Sequence, residues 1–174
     1  MNQINLTTIL LMVFIPFIFV ALIIPLIKKV AMHIGAIDIP DKRKVHKKPM
    51  PRLGGLGIYF GFLLGYMLFG VHSVQMNAIL IGSFFIIFTG MIDDINSLTA
   101  KQQLIGQTIA ALVVIFYGGI TLSHITAFGF DIQFGLFAYP ITLFFILGCI
   151  YVIRLIDGLD GLSGGISSIF FLTI

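Results

Sequence analysis

Long apolar runs separated by short polar segments repeat along the whole chain. Several of these runs reach the roughly 17–25 apolar residues that a helix needs to cross a bilayer. A helix also satisfies its own backbone hydrogen bonds, as lipid requires. The pattern therefore predicts an all-α protein, a polytopic transmembrane helical bundle forming a single integral membrane domain over residues 1–174, with five complete spans and the start of a sixth. The predicted spans cover residues 7–27, 53–71, 76–92, 100–117, 139–153 and 166–174.

The sixth predicted span is too short to cross a membrane. Its residues, 166–174, extend over only about 14 Å at the helical rise of ~1.5 Å per residue, which is less than half of the ~30 Å hydrocarbon core. We therefore expect the sequence to be a truncated part of a longer bundle.

The composition agrees with a membrane protein. Hydrophobic residues make up 59% of the chain and charged residues only 10%, whereas ordinary soluble domains carry about 25% charged residues. The single cysteine, Cys149, lies inside an apolar run. A framework of disulfides is therefore excluded.

Three local patterns refine the predicted elements. A glycine at every fourth position from Gly57 to Gly65 places small residues on one face of the second span, which lets membrane helices pack closely. Thr99 and Gln102 fit a capping box that would start the fourth span. The segment 118–138 partly alternates apolar and polar residues, which predicts a short hairpin outside the membrane.

The charged residues are gathered on one side of the predicted bundle. All ten lysines and arginines fall in the loops that follow the first, third and fifth spans, and six of the seven aspartates accompany them. By the positive-inside rule these loops are cytoplasmic and the N-terminus lies outside. The side chains suited to chemistry are therefore gathered at one membrane face.

The first cytoplasmic loop is basic and is shaped by proline and glycine. It runs from Lys28 to Arg52, contains Pro49 and Pro51 near its end, and is followed by a Gly-Gly pair. Prolines restrict the backbone and glycines free it. Arginine recognises phosphate as a planar fork and lysine as a point charge. Taken alone, the loop supports phosphate binding and simple orientation against anionic lipid about equally.

Two pairs of aspartates follow in the second and third cytoplasmic loops. Asp93 and Asp94 are adjacent, and neighbouring carboxylates favour a divalent cation or a proton between them. Asp157 and Asp160 are three residues apart, so on a helix they would share one face. The alternatives are a hydrated helix end for the first pair and a solvated turn for the second. Four acids and a basic loop on one face favour Mg²⁺ and phosphate groups as ligands, and hence phosphoryl transfer.

These loops contain three ordered motifs. They read Asp38-x-Pro40-x-x-Arg43-Lys44-x-His46-x-x-Pro49-x-Pro51-x-x-Gly54-Gly55, then Gly90-Met-Ile-Asp93-Asp94 with Leu98, Lys101 and Gln107, then Leu155-Ile-Asp157-Gly-Leu-Asp160-Gly-Leu162. The motifs resemble the bacterial polyprenyl-phosphate sugar-1-phosphate transferases, glycosyltransferase family 4. The form of the first motif favours the branch that uses N-acetylglucosamine over the related phospho-MurNAc-pentapeptide translocase.

The resemblance implies transfer of N-acetylglucosamine-1-phosphate from UDP-GlcNAc to undecaprenyl phosphate, with release of UMP, at the cytoplasmic face of the bacterial cell membrane. This reaction begins teichoic acid and other cell-envelope polymers. The implied cofactor is Mg²⁺, with Mn²⁺ as an alternative. The implied partners are the nucleotide sugar, the polyprenyl phosphate lipid and the membrane, with no nucleic acid, and a homodimer stays open.

The resemblance also assigns roles to individual side chains. The implied catalytic residues are Asp93 and Asp94. The implied metal ligands are Asp94 and Asp157. The implied substrate-binding residues are His46, Lys47, Arg52, Asp157 and Asp160.

The chain departs from the family pattern in two respects. The family has Asn-x-x-Asn before the Leu-Ile-Asp-Gly stretch, and here Tyr151 and Arg154 occupy those positions. Arg154 is expected either to replace a metal contact with a fixed positive charge or to pair with Asp157. The family's second half is also missing, so the alternative is an inactive truncated remnant or fragment. A small transporter fits less well, because transporter sites lie near the bilayer midplane.

Overall fold

The computed structural model describes residues 5–38, 50–127, 130–156 and 162–173, and these ranges contain six α-helices and two small antiparallel sheets. A π-helical turn, Val113–Tyr117, continues the fourth helix, and a 3₁₀ turn, Gly135–Phe137, precedes the fifth. The strands are β1 (Ile37–Asp38), β2 (Met50–Pro51), β3 (His124–Ala127) and β4 (Phe130–Gln133). The helices are α1 (Leu6–His33), α2 (Gly54–Phe69), α3 (Val74–Ile95), α4 (Ala100–Leu112), α5 (Ala138–Ile156) and α6 (Leu162–Thr173).

Three helical stretches are long and apolar enough to cross a membrane. They are α1, α3 and the stretch Gly135–Ile156 that contains α5, whereas α2 is apolar but shorter. Large apolar side chains are exposed along these stretches, among them Leu22 at 74% and Phe144 at 73%. Such a surface suits lipid rather than water. The protein is therefore a helical membrane protein, and the count of five complete spans stays a prediction.

The glycine face of α2 packs closely against another helix, as the sequence predicts, and the structure shows that this helix is α1. Gly61 is buried, and a Cβ built on it would lie 2.3 Å from a γ-carbon of Val20. One turn further along α2, a Cβ on Gly65 would lie 3.3 Å from Cγ of Pro16. The contacts advance along α2 as they recede along α1, so the two helices are antiparallel. Because glycine has no side chain, the two helix backbones can approach each other closely.

Gly61→Leu is expected to destabilise the fold, because the added side chain must displace Val20 or separate α1 from α2. Overpacking of this kind costs about 1–3 kcal/mol, so the thermal unfolding midpoint in detergent should fall by several degrees. Gly148→Leu is the matched control, since a Cβ at that exposed position of α5 meets open space. Equal unfolding midpoints for the two variants would contradict the packing described here.

α3 and α4 form a second antiparallel pair with small residues between them. A Cβ on Gly106 would lie 2.2 Å from Oγ1 of Thr89, and a Cβ on Gly82 would lie 3.1 Å from the carbonyl oxygen of Ala110. The close approach brings the last turn of α3 beside the first turns of α4.

Two local predictions are confirmed, and several span boundaries differ: α1 continues past residue 27 to His33, and α6 begins at Leu162 rather than at residue 166. Thr99 and Gln102 form the predicted capping box at the start of α4, and β3 pairs with β4 as the predicted hairpin. The helix predicted to end at residue 92 instead continues to Ile95, so Asp93 and Asp94 lie in its last turn rather than in a loop. Negative charge opposes the helix dipole there, and arginines from other segments compensate for it, as described below.

Candidate functional site

Four segments that are distant in sequence converge at one end of the bundle. They are the residues just before α2, the last turn of α3, the first turns of α4 and the last turns of α5. They bring together the charged and amide side chains of Arg52, Asp93, Asp94, Gln103 and Arg154. The predicted gathering of chemically capable residues at one end is therefore confirmed for the members that the structure describes.

Three hydrogen bonds hold the carboxylate of Asp93. Its Oδ1 accepts from the backbone N–H of Leu98 at 2.8 Å and from Nε2 of Gln103 at 2.8 Å. Its Oδ2 accepts from Nη2 of Arg154 at 3.0 Å. Arg154 also donates to Oε1 of Gln103. Both carboxylate oxygens of Asp93 therefore have donors, which fix its orientation and compensate its charge.

Asp94 faces the residues that precede α2. Its Oδ2 accepts from the backbone N–H of Leu53 at 3.4 Å, and its Oδ1 lies 3.8 Å from Nη1 of Arg52. The side chains of Asp94 and Arg52 are 32% and 38% exposed, so solvent weakens the attraction between them. Asp94 thus joins the end of α3 to the basic segment before α2.

The backbone of Leu53 is the one non-glycine position with a positive φ among the described residues. Its φ is 70°, in the left-handed region, which costs a residue with a Cβ roughly 1–2 kcal/mol. The Leu53 side chain is 4% exposed and packs with Ala31 and Ala36. This burial holds a strained backbone whose N–H points at Asp94. The strain therefore falls at the edge of the site.

A cavity of about 530 Å³ lies among α2, α3, α4 and α5. Its volume is in the ~300–1,000 Å³ range of small-molecule sites. The polar lining consists of Asp93, Asp94, Gln103 and Arg154 with Thr89 and Gln107, whereas the rest is apolar apart from glycine. The apolar side chains are those of Leu53, Leu56, Ile86, Ile87, Met91, Ile150 and Ile153. The cavity thus suits a ligand with a charged group and an apolar portion.

The sequence-predicted site residues divide into two groups. Asp93 and Asp94 line one cavity, and Arg52 lies beside Asp94 at its edge. The other four predicted site residues lie outside the described residues, so their assignments stay predictions; these are His46, Lys47, Asp157 and Asp160.

Sequence reasoning missed two participants in the site. Gln103 bridges Asp93 and Arg154, and its position four residues before Gln107 on the same face of α4 was the available signal. The N–H of Leu53 gave no signal in the sequence. Arg154 was expected to replace a metal contact or to pair with Asp157, and the structure pairs it with Asp93.

Within the described part of the chain, no three histidine, cysteine or aspartate side chains converge to form a metal site. Magnesium often takes only one or two protein carboxylates together with waters and substrate phosphates. The carboxylate of Asp94 beside a bound phosphate fits such an ion. Asp93 fits it less well, because its oxygens already accept three hydrogen bonds.

The fold and the site together define a class of protein: a helical membrane protein with a charged cavity at one end of the bundle, suited to a phosphate-bearing ligand. The chain belongs to glycosyl transferase family 4, whose family model matches residues 76–174, more than half of the chain. The family resemblance drawn from the sequence motifs is therefore confirmed.

Curated relatives with named activities are similar to most of the chain. The probable undecaprenyl-phosphate N-acetylglucosaminyl 1-phosphate transferase of Bacillus subtilis (strain 168) is 40% identical over 89% of this chain and 44% of its own length. The undecaprenyl-phosphate alpha-N-acetylglucosaminyl 1-phosphate transferases of Yersinia pestis and Escherichia coli (strain K12) are each 29% identical, over 98% and 100% of this chain and 47% of their own lengths. The chain thus spans less than half the length of these relatives. No solved structure matches it.

Proposed function

We propose that the protein transfers N-acetylglucosamine-1-phosphate from UDP-GlcNAc to undecaprenyl phosphate and releases UMP. The observation that carries the proposal is the cavity whose charged lining holds Asp93 and Asp94 with a flanking arginine, beside an apolar wall. The names of the similar transferases supply the lipid acceptor and the N-acetylglucosaminyl 1-phosphate group, and the resemblance of the sequence motifs implies UDP-GlcNAc as the donor.

The reaction forms one phosphoanhydride bond and breaks another. An oxygen of the lipid phosphate attacks the sugar-bearing phosphorus of UDP-GlcNAc. The bond from that phosphorus to the bridging oxygen breaks, and the bridging oxygen leaves with UMP. Both substrates are anionic, so positioning and charge compensation supply most of the rate. The guanidinium group of Arg52 is at the site to compensate that charge, whereas that of Arg154 is paired with Asp93.

The two aspartates have different roles in this proposal. Asp93 is a positioning residue, because its oxygens accept three hydrogen bonds and thereby hold Gln103 and Arg154 beside the cavity. Asp94 is the carboxylate that meets the reacting phosphates, either accepting a proton from the lipid phosphate or serving as a metal ligand. Asp93 and Asp94 are adjacent in the last turn of α3, so this one helix supplies both the positioning residue and the residue that meets the phosphates.

Mg²⁺, with Mn²⁺ as an alternative, is the proposed cofactor. When bound, the ion supplies neutralisation of the phosphate charge that develops during transfer. Asp94 would be one of its ligands, with Asp157 as the second protein ligand implied by the family motif. Removal of divalent cations with EDTA is expected to stop UMP release, and added Mg²⁺ should restore it. Full turnover in EDTA would contradict a metal role.

The proposal also places the protein in its cell. We propose a multi-pass arrangement of five complete spans in the bacterial cell membrane, with the N-terminus outside and the site at the cytoplasmic face, where it begins cell-envelope polymers such as teichoic acid. The one-sided distribution of all ten lysines and arginines supports this orientation.

UMP release from the purified protein in lipid nanodiscs tests the proposed activity. UMP should appear only when UDP-GlcNAc and undecaprenyl phosphate are both present. UDP-MurNAc-pentapeptide is the matched alternative donor. Faster UMP release from that donor would assign the protein to translocase chemistry instead, and no release from either donor would contradict the proposal.

A further inference from the structure

The side-chain amide of Gln107 is a polar group of the cavity lining that, unlike the hydroxyl of Thr89, which donates to the carbonyl oxygen of Phe85, has an oxygen that is unpaired among the described residues. Gln107 is 6% exposed, lines the cavity, and its Oε1 has no hydrogen-bond partner among the described residues. Buried polar atoms are nearly always paired, because an unpaired one forfeits its hydrogen bonds to water. A buried acceptor that meets no donor among the described residues calls for a donor from elsewhere.

The donors of the neighbouring side chains are engaged within the charged cluster. Nε2 of Gln103 donates to Asp93 and to the carbonyl oxygen of Leu98. Arg154 donates to Asp93 and Gln103. The members of this cluster therefore bond to one another, one helical turn away from Gln107. None of them donates to Oε1 of Gln107.

Gln107 also lies deeper in the bundle than the charged cluster. It is seven residues past Ala100, where α4 begins, which places it about 10 Å along the helix axis. Apolar side chains of α3 and α5, including Ile86 and Ile150, line the cavity with it. A ligand that reaches this depth exchanges water for an apolar wall, which favours a polar group attached to a hydrocarbon chain over a soluble nucleotide sugar.

From the buried unpartnered amide and the apolar wall beside it, we infer that Gln107 binds the phosphate head group of the lipid substrate. This inference rests on the proposed function and names a binding residue for one of its two substrates. A phosphate monoester together with its bound water matches both ends of an amide. An anionic phosphate oxygen accepts from Nε2, and a water that the phosphate carries donates to Oε1. The nucleotide sugar does not contact Gln107.

Gln107→Leu separates this role from a structural one. Leucine removes the unsatisfied polar atom, so the unliganded protein should unfold at the same or a higher temperature. The same change removes hydrogen bonds to a charged ligand, so the dissociation constant for undecaprenyl phosphate should rise about tenfold to a hundredfold. The dissociation constant for UDP-GlcNAc should stay within about twofold of the wild-type value, because Gln107 makes no hydrogen bond to that substrate. A merely structural residue would not produce opposite changes in stability and in binding of one substrate.

The test measures binding of both substrates and the unfolding midpoint for the wild-type protein, Gln107→Leu and the control Gln75→Leu in nanodiscs. Gln75 is exposed in the first turn of α3, at the other end of that helix from Asp93. The control should bind both substrates as the wild type does. If Gln107→Leu does not fold, Gln107→Met replaces it, because methionine is an unbranched side chain of similar length.

Two results would overturn the inference. If the wild type and Gln107→Leu bind undecaprenyl phosphate equally well, the amide does not contact that substrate. The proposed function would not be affected by this result. If Gln107→Leu binds both substrates equally more weakly and also unfolds at a lower temperature, the role of Gln107 is structural. Failure of the wild type to bind either substrate would overturn the proposed function itself, and the inference with it.

Discussion

Asp94→Asn is expected to lower the rate of UMP release by at least about 100-fold, the scale on which a single proton-transferring or charge-stabilising group contributes to catalysis. Asparagine keeps the size of the side chain and can still accept from the N–H of Leu53. It cannot take a proton from the lipid phosphate at neutral pH, and it is a poorer ligand for Mg²⁺ than a carboxylate. The loss should appear in kcat, with the unfolding midpoint unchanged.

Asp131→Asn is the matched control for this substitution. Asp131 lies on β4 in the hairpin and accepts a hydrogen bond from Thr126, outside the cavity. The control should retain wild-type turnover, since it removes an equal charge away from the site. Near-normal turnover of Asp94→Asn would remove Asp94 from the reaction.

Arg154→Met is expected to lower kcat about 10- to 100-fold through Asp93. The substitution keeps the length of the side chain but removes the donor to Oδ2 of Asp93 and the donor to Gln103. Charge-assisted hydrogen bonds of this kind contribute roughly 1.5–3 kcal/mol. Asp93 would lose its fixed orientation and its charge compensation at once.

A double-mutant cycle distinguishes this account from an independent role for Arg154. If Arg154 acts by positioning Asp93, then Asp93→Asn should cost much less activity in the Arg154→Met background than in the wild type. Additive losses would mean that the two residues act separately, with Arg154 contacting phosphate directly. The coupling, rather than either single loss, is the measurement that decides the role of Arg154.

The sequence predicts most of the framework that holds this site. Apolar run lengths predict helices, the glycines of α2 predict a face that packs closely against another helix, and Thr99 with Gln102 predicts the start of α4. These features depend on residues near one another in the chain. The one-sided placement of charge also predicts that Arg52 and the two aspartates of α3 lie at the same end.

The pairings within the site could not be predicted in the same way. The hydrogen bond from Arg154 to Asp93 joins residues 61 positions apart, and it depends on how closely α4 and α5 pack beside α3. The left-handed backbone of Leu53 follows from the burial of its side chain against residues at the end of α1. The cavity is likewise a property of several helices together.

The extra turn at the end of α3 has the same origin. Two adjacent aspartates in a final helical turn are unfavourable by themselves, which is why the sequence favours ending the helix before them. Arg154 and Arg52 approach them from other segments and reverse that preference. A local rule was overridden by charges that only the folded bundle brings near.

The most direct test of the central claim follows the sugar-bearing phosphate through the reaction. UDP-GlcNAc labelled with ³²P in that phosphate is supplied to the protein with undecaprenyl phosphate, and the products are separated into lipid and aqueous fractions. The account predicts that the label enters the lipid together with the sugar and that the released nucleotide is unlabelled UMP. Labelled UDP in the aqueous fraction would mean that the sugar alone had moved, and it would contradict phospho-sugar transfer at this site.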